Sequence, residues 1–396
     1  MSLSQRVQNI KPSPTLAVSA KAAELKAAGH DIIGLGVGEP DFDTSEHVKD
    51  AAIKAIRDGK TKYTAVDGTV ELKSAIIDKF QQENQLNYEP NQLLVSCGAK
   101  QSLYNLVQAV INPGDEVIVP APYWVSYPDI AILGEGKPVF INASQQQNFK
   151  ISPEQLEQAI TSRTKLLLLN SPSNPTGVAY TEQELRALAG VLLKHPHVII
   201  VSDDIYEHIL WDKDKPFCNI VMACPDLYDR TIVVNGVSKA YAMTGWRIGY
   251  AAGDAKIIKA MKKIQSQSTS NPSSVSQAAA CAALDQKNPL NKRCIDTMLA
   301  AFQQRHDFVV STLNDIKGID CIASQGTFYA FPSVKGLMNQ LGVTSDIALC
   351  AMLLEKAGVA LVPGSAFGAE GHMRLSYATS QEILAEALKR IKSLTH

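Results

Sequence analysis

The chain has 396 residues, more than one hydrophobic core ordinarily holds, and 45% of them are hydrophobic, so two packed domains are expected and disorder is not. Its 38 basic side chains against 39 acidic ones leave a formal net charge of -1, which argues against nucleic acid or an anionic membrane surface as partner. Seven cysteines (97, 218, 224, 281, 294, 321 and 350) are scattered without a Cys-x-x-Cys pair, so neither a disulfide framework nor a zinc site is indicated and most are expected to act as small core residues.

Residues 1–14 are polar and proline-bearing, with no apolar core of signal-peptide length, and the apolar runs at 166–169 and 198–201 are far too short to cross a bilayer. A soluble, cytoplasmic protein is expected. Gly34-x-Gly36-x-Gly38 imitates a nicotinamide-binding glycine loop, but the third glycine of that pattern falls on Glu39 and the segment runs into Pro40 instead of a helix. From about residue 90 to 250, short β-branched or leucine-rich runs at 93–96, 116–119, 165–169, 198–201 and 231–234 alternate with helical stretches, the pattern of a mostly parallel sheet covered by helices. Leu103, Leu106, Val107, Val110 and Ile111 recur at helical spacing, and Thr181 with Glu184 reads as a capping box. His195-Pro196-His197 has the wrong spacing for a helical metal-ligand pair and no evident acidic or cysteine partner, so it reads as a loop before the next strand. Beyond about 290 the chain reads as a smaller α+β unit, with a long helix around 292–315, a helix near 345–357 stopping at Gly358, and short strands at 327–331 and 372–376.

Ligands of open α/β sheets bind at the carboxyl ends of strands. Asn174, Asp203 and Lys239 each follow a separate strand candidate, and a fourth candidate leads to Gly98, so independent strands deliver polar groups to one edge. Lys239 stands among small residues with Arg247 eight positions later, a spacing suited to a lysine that binds an aldehyde and an arginine that binds its phosphate. Schiff-base chemistry with pyridoxal phosphate is the commonest reason to hold a lysine amine partly uncharged. Taken alone, Lys239 could be a solvated surface lysine, Asp203 a helix cap beside Asp204, and Trp124 and Tyr206 ordinary packing.

The segment Gly236-Val237-Ser238-Lys239-Ala240-Tyr241-Ala242-Met243-Thr244-Gly245-Trp246-Arg247-Ile248-Gly249 resembles the cofactor-attachment signature of class I pyridoxal-phosphate aminotransferases. Gly38-Glu39-Pro40-Asp41-Phe42, Pro122-Tyr123-Trp124, Asn174-Pro175-Thr176-Gly177, Ser202-Asp203-Asp204-Ile205-Tyr206 and Arg374-Leu375-Ser376-Tyr377-Ala378 resemble that family's other landmarks, in its order, and the likeness leans toward bacterial aspartate aminotransferases of the subgroup with prephenate-using members. One departure is Gly236, where many members carry serine.

The resemblance implies an α/β fold of the type I pyridoxal-phosphate transferases: a large domain with a mostly parallel seven-stranded sheet over 46–290, and a smaller α+β domain over 291–396 joined by the N-terminal arm 1–45. Lys239 is implied to hold pyridoxal 5'-phosphate and then move a proton at the substrate's alpha carbon, Asp203 to pair with the ring nitrogen, and Tyr206 with Asn174 to reach the ring oxygen. Arg247, Ser238 and the Gly98-Ala99-Lys100 turn would hold the phosphate, Tyr63 would reach it from a neighbouring subunit of a homodimer, and Trp124 would stack on the ring. Arg374 would bind the substrate's alpha-carboxylate across from Gly38, with domain closure over the substrate. Asn174-Pro175 is implied to be cis.

For specificity, Lys100 is the candidate for a distal carboxylate, although as an isolated residue it reads equally as a solvated helix-start lysine. Ser13 and Thr15 are candidates to assist it, and Lys11 marks where prephenate use would be favoured. The leading expectation is an aspartate aminotransferase passing the amino group to 2-oxoglutarate, with no metal. Prephenate or aromatic transamination and a carbon-sulfur lyase remain open in the same fold. A non-catalytic cofactor-binding regulator lacks room for a DNA-binding domain, and a nicotinamide oxidoreductase lacks its fingerprint.

Overall fold

A computed structural model describes residues 3–212, 214 and 216–395, so the outermost residues of the expected terminal segments lie outside it. After a two-residue strand β1 (Ile33–Gly34) come β2 (Leu93–Ser96), β3 (Glu116–Ala121), β4 (Lys137–Asn142), β5 (Thr164–Asn170), β6 (Ile199–Asp203), β7 (Thr231–Gly236) and β8 (Gly249–Ala252), and then the short β9 (Tyr329–Ala330), β10 (Val359–Ala360), β11 (Val362–Pro363) and β12 (Met373–Ser376). Strands β2 to β8 form one seven-stranded sheet in the order β2-β8-β7-β6-β5-β3-β4, in which β8 alone runs antiparallel to its neighbours.

The near-continuous apolar runs of the five anticipated strands follow from their place, since helices bury both faces of this sheet. On one face pack Leu103, Leu106 and Val107 of the helix Ala99–Val110 with Ile258 and Met261 of the helix Ala255–Ser266. On the other lie Leu185, Leu188 and Leu192 of the helix Glu182–Leu192, begun by the Thr181–Glu184 capping box. Two strands of this sheet were not anticipated: β4 is a half-exposed edge strand in which Lys137 and Pro138 precede the short run Val139 to Ile141, and β8 is Gly-Tyr-Ala-Ala, without β-branched residues and held by burial.

A second core gathers the C-terminal helices around β9, β11 and β12, with β12 central and antiparallel to both neighbours. The long helix runs Pro289–Asn314 and contributes Met298, Phe302, Val309 and Leu313. The next expected helix is Asp346–Met352 continued by a wider turn, Leu353–Ala357, and Gly358 ends it at a φ of 66°. The N-terminal segment belongs to this core: β1 pairs with β10, the Leu35 amide donates to the Ala360 carbonyl at 2.9 Å, and the Ser376 amide donates to the Leu35 carbonyl at 2.8 Å. Among the described residues no single helix is long and apolar enough to cross a membrane, and the one bent pair that passes on composition, Lys335–Leu341 with Asp346–Ala357, puts Leu337, Leu349 and Leu353 into the second core. The His195-Pro196-His197 segment is a loop, but it does have an acidic partner, since the Glu157 carboxylate accepts from His195 Nε2 at 2.9 Å while His197 meets the Thr161 carbonyl instead.

A buried polar cluster lies behind the sheet edge. Lys79 is fully buried, ion-paired to Glu207 and 3.5 Å from Glu83, and Glu207 also accepts from Asn84 at 3.1 Å and Asn235 at 2.9 Å. Glu83, Glu207 and His208 lie close enough for metal ligation, yet the Lys79 ammonium already supplies the cation. Removing one partner of such a pair leaves an uncompensated buried charge. Lys79→Met should lower the unfolding free energy by about 3–5 kcal/mol in urea denaturation, and adding Glu207→Gln should recover most of it.

Candidate active site

Five strands of the main sheet end at one edge. β2 leads into Gly98 and the helix from Ala99, β3 into Pro122 to Trp124, β5 into the loop with Asn174, β6 ends on Asp203, and β7 leads into Lys239. Because β8 is antiparallel, it starts at this edge, and Arg247 just before it arrives there too. A cleft of about 440 Å³ opens here, walled on the far side by Gly38, Tyr329 and Arg374. Every anticipated site residue except Gly98 and Tyr63 lines it.

The Lys239 ammonium donates to the Gly38 carbonyl at 2.5 Å and lies 5.7 Å from the Tyr206 ring and 5.6 Å from that of Phe328. Burial first, and then the positive charge of Arg374, bring its pKa down to about 8, against the opposing pull of Glu39 and Asp203. Asp203 is 4% exposed and accepts from the Tyr127 hydroxyl at 2.6 Å and the Ile205 amide at 3.3 Å. Burial raises its carboxyl to about 6, while those bonds and Lys239 hold it down. Asp204, its neighbour, turns away: it accepts from Ser202 at 2.6 Å and Asn219 at 2.7 Å in a structural network and does not line the cleft. The Tyr206 hydroxyl lies 3.1 Å from that of Tyr329.

At the same edge, Gly98 has a φ of 85°, and a Cβ there would collide with the Arg247 guanidinium. A Cβ on Gly249 would likewise strike the Ala99 amide, so two glycines let Arg247 and the start of the helix Ala99–Val110 come together. Among the described residues Arg247 donates only to carbonyls, those of Thr244 at 2.9 Å and Cys97 at 3.4 Å. Its guanidinium thus sits beside the free amides of a helix start, an arrangement that attracts a phosphate. Lys100 stands 4.9 Å from the centre of the Trp124 ring, and burial with Arg247 lowers its pKa. Trp124 is half-buried and meets Tyr127 edge-on at 5.3 Å, and Ser238 is buried on the loop before Lys239.

Arg374 of β12 is 2% exposed and has no carboxylate partner among the described residues. It donates to the Asn174 side-chain oxygen at 2.8 Å and the Gly36 carbonyl at 2.7 Å, lies 4.4 Å from the Tyr329 ring centre, and leaves its Nε unpartnered. The Asn174–Pro175 bond is cis. Ser13 and Thr15 line the cleft mouth, the Ser13 hydroxyl capping the helix Pro14–Ala27 and the Thr15 hydroxyl buried without a partner. Lys11 is exposed outside the cleft, its amide donating to Asp129 at 3.5 Å. Tyr63 is 92% exposed and lies on another surface of the protomer.

Sequence reasoning missed Tyr127, Tyr329 and Asn170, whose side-chain amide donates to the Asp203 carbonyl at 2.9 Å and whose oxygen accepts the Asn174 amide. Asn170 ends β5, so strand-end position was its one available signal. Glu39 was visible only as part of a motif, and it lines the cleft while accepting from Thr244 at 2.9 Å. The charges around Lys239 set the direction of two changes. The pH midpoint of Lys239 acetylation, followed by peptide mass spectrometry, should lie near 8, rise in Arg374→Gln and fall in Asp203→Asn.

Residues 30–391 match the family described as aminotransferase class I and II. The chain is 61% identical over 400 residues to the aspartate/prephenate aminotransferase of Nitrosomonas europaea, covering 100% of each, and 54% identical over 396 residues to that of Cereibacter sphaeroides, covering 99% of this chain and 98% of the relative. The solved aspartate aminotransferase from Rhizobium meliloti superposes with a TM-score of 0.94 at 51% identity, over 99% of this chain and 98% of that one. That of Thermus thermophilus, solved with maleate, gives 0.94 at 43% identity over 100% of both. The chain belongs to the class I and II aminotransferases.

Proposed function

We propose that the protein transfers the amino group of L-aspartate to 2-oxoglutarate, giving oxaloacetate and L-glutamate, with pyridoxal 5'-phosphate in this cleft. One observation carries the reading: Lys239 with a lowered pKa and two arginines, 247 and 374, without carboxylate partners among the described residues, converge with the buried Asp203. That donor set fits the cofactor. Arg247, Ser238 and the amides of Ala99 and Lys100 would hold its phosphate, the Gly98 amide being already given to the Ser96 carbonyl at 2.7 Å; Trp124 would cover its ring, Asp203 would meet its ring nitrogen, and Tyr206 with Asn174 would reach its ring oxygen. When bound, pyridoxal phosphate supplies an aldehyde that takes up the amino group and a ring that accepts the electron pair left at the alpha carbon.

Arg374 orients the substrate by two parallel bonds to its alpha-carboxylate, compensating a guanidinium that is otherwise buried without an anion. Lys239, whose pKa of about 8 leaves a minor share of the amine uncharged at physiological pH, would take the proton from the alpha carbon and return it on the cofactor side. Asp203, ionised at that pH, would keep the ring nitrogen protonated. Closure of the second core on the first would exclude water, a motion resting on the expected division into 1–45, 46–290 and 291–396. Tyr63, exposed here, would complete the phosphate site of a neighbouring subunit in a cytoplasmic homodimer. Prephenate as a second amino acceptor is favoured by the likeness to aspartate/prephenate aminotransferases, with Lys11, outside the cleft, as the position where its use would be favoured.

Lys100 and, beside it, Ser13 and Thr15 would bind the distal carboxylate of a dicarboxylic substrate. Lys100→Ala should lower kcat/KM for aspartate by about 10- to 100-fold, the worth of a charge-assisted hydrogen bond, and leave an aromatic amino acid within about threefold. Equal losses for both substrates would remove Lys100 from specificity.

A further inference from the structure

Tyr329 has no role in the reading above, yet it touches three of the groups that reading depends on. Its hydroxyl lies 3.1 Å from that of Tyr206, and its ring centre lies 4.4 Å from the Arg374 guanidinium carbon. Its hydroxyl also lies against Gly38, where a Cβ would collide with it, and the Gly38 carbonyl is the acceptor of the Lys239 ammonium. Tyr329 is 1% exposed and fixed on β9, in the second core, whereas Tyr206 and Lys239 come from loops of the main sheet. A buried phenol needs a hydrogen-bond partner, and the Tyr329 hydroxyl has Tyr206 as its side-chain partner.

We propose that Tyr329 is a positioning residue: its hydroxyl donates to the Tyr206 hydroxyl, leaving the Tyr206 proton for the ring oxygen of pyridoxal phosphate, while its ring supports Arg374. This rests on the proposed function. The Tyr206 oxygen has one proton to give and lone pairs to accept with, so when that proton points at a ligand the neighbouring hydroxyl can only donate to it. Accepting one hydrogen bond polarises a hydroxyl and strengthens the bond it donates. The arrangement therefore favours a negatively charged ring oxygen in the cleft. The charged and titratable groups facing this pair are Arg374 of β12, Asp203 at the end of β6, Lys239 after β7 and Glu39 of the N-terminal segment. Tyr329→Phe leaves all four in place and keeps the ring under Arg374.

The test is a pH titration of the visible absorption of the cofactor-loaded protein. In Tyr329→Phe the midpoint should rise by roughly half a unit, because the hydrogen bond favouring the deprotonated form is weakened. KM for aspartate should stay within about twofold, since the Arg374 contact survives, and in Tyr329→Ala it should rise about tenfold. In a Tyr206→Phe background, adding Tyr329→Phe should move the midpoint by no more than about a tenth of a unit, because the two hydroxyls act as one unit. A midpoint that is unchanged or falls in Tyr329→Phe, or an equal shift with and without Tyr206, would overturn the proposal even if melting temperature drops, which a merely structural role would also produce. Failure of the underlying reading looks different: the absorption band would then be missing from the wild-type protein or would survive Lys239→Ala.

Discussion

Burying a guanidinium without an anion is among the more expensive arrangements a protein can adopt, and Arg374 does so at 2% exposure. The surrounding structure offsets part of that cost with the Asn174 side-chain oxygen, the Gly36 carbonyl and the faces of Tyr329 and Phe367. These contacts come from both cores. Asn174 hangs from β5 of the main sheet, whereas Gly36 follows β1 and Arg374 lies on β12 of the second. The Nε without a partner shows that compensation is incomplete, and a carboxylate between the cores is what would complete it.

The same positive field reaches Lys239. Arg374 is the largest charge acting to lower its pKa, so the group that would hold the substrate also prepares the amine that would act on it. Asp203 pulls the other way from the floor of the cleft, and its own carboxyl, raised by burial to about 6, still ionises below neutral pH because Tyr127 donates to it. Opposed shifts bring the acid and the base toward neutrality from either side, leaving the carboxylate mostly ionised and giving the lysine an accessible uncharged fraction there. Behind them, Glu207 accepts from Asn235 and Lys79, tying the loop after Tyr206 to the strand that leads to Lys239.

Much of this was legible in the chain. Five strands announced themselves because a strand buried on both faces must be apolar throughout, and the site followed because polar groups at several strand ends fall on one edge. What stayed hidden depended on distant partners. Tyr127 and Asp203 are 76 residues apart, and Tyr206 and Tyr329 are 123 apart, so neither pairing has a local signature. β8 and β4 were missed for different reasons: one owes its place to burial between better strands, the other is an edge where Pro138 and Lys137 are permitted. The choice of Asp203 over Asp204 rested on family pattern alone, and only the fold separates a carboxylate facing the cleft from one locked between Ser202 and Asn219.

The central claim is that Lys239, Asp203 and Arg374 together carry an amino-group transfer from aspartate. Its most direct measurement is the absorption spectrum of the pyridoxal-phosphate-loaded protein before and after L-aspartate is added with no oxoacid present. The lysine-dependent band is expected to give way to that of the aminated cofactor, with one oxaloacetate released per site. A band that remains unchanged at saturating aspartate, with no oxaloacetate formed, would contradict it.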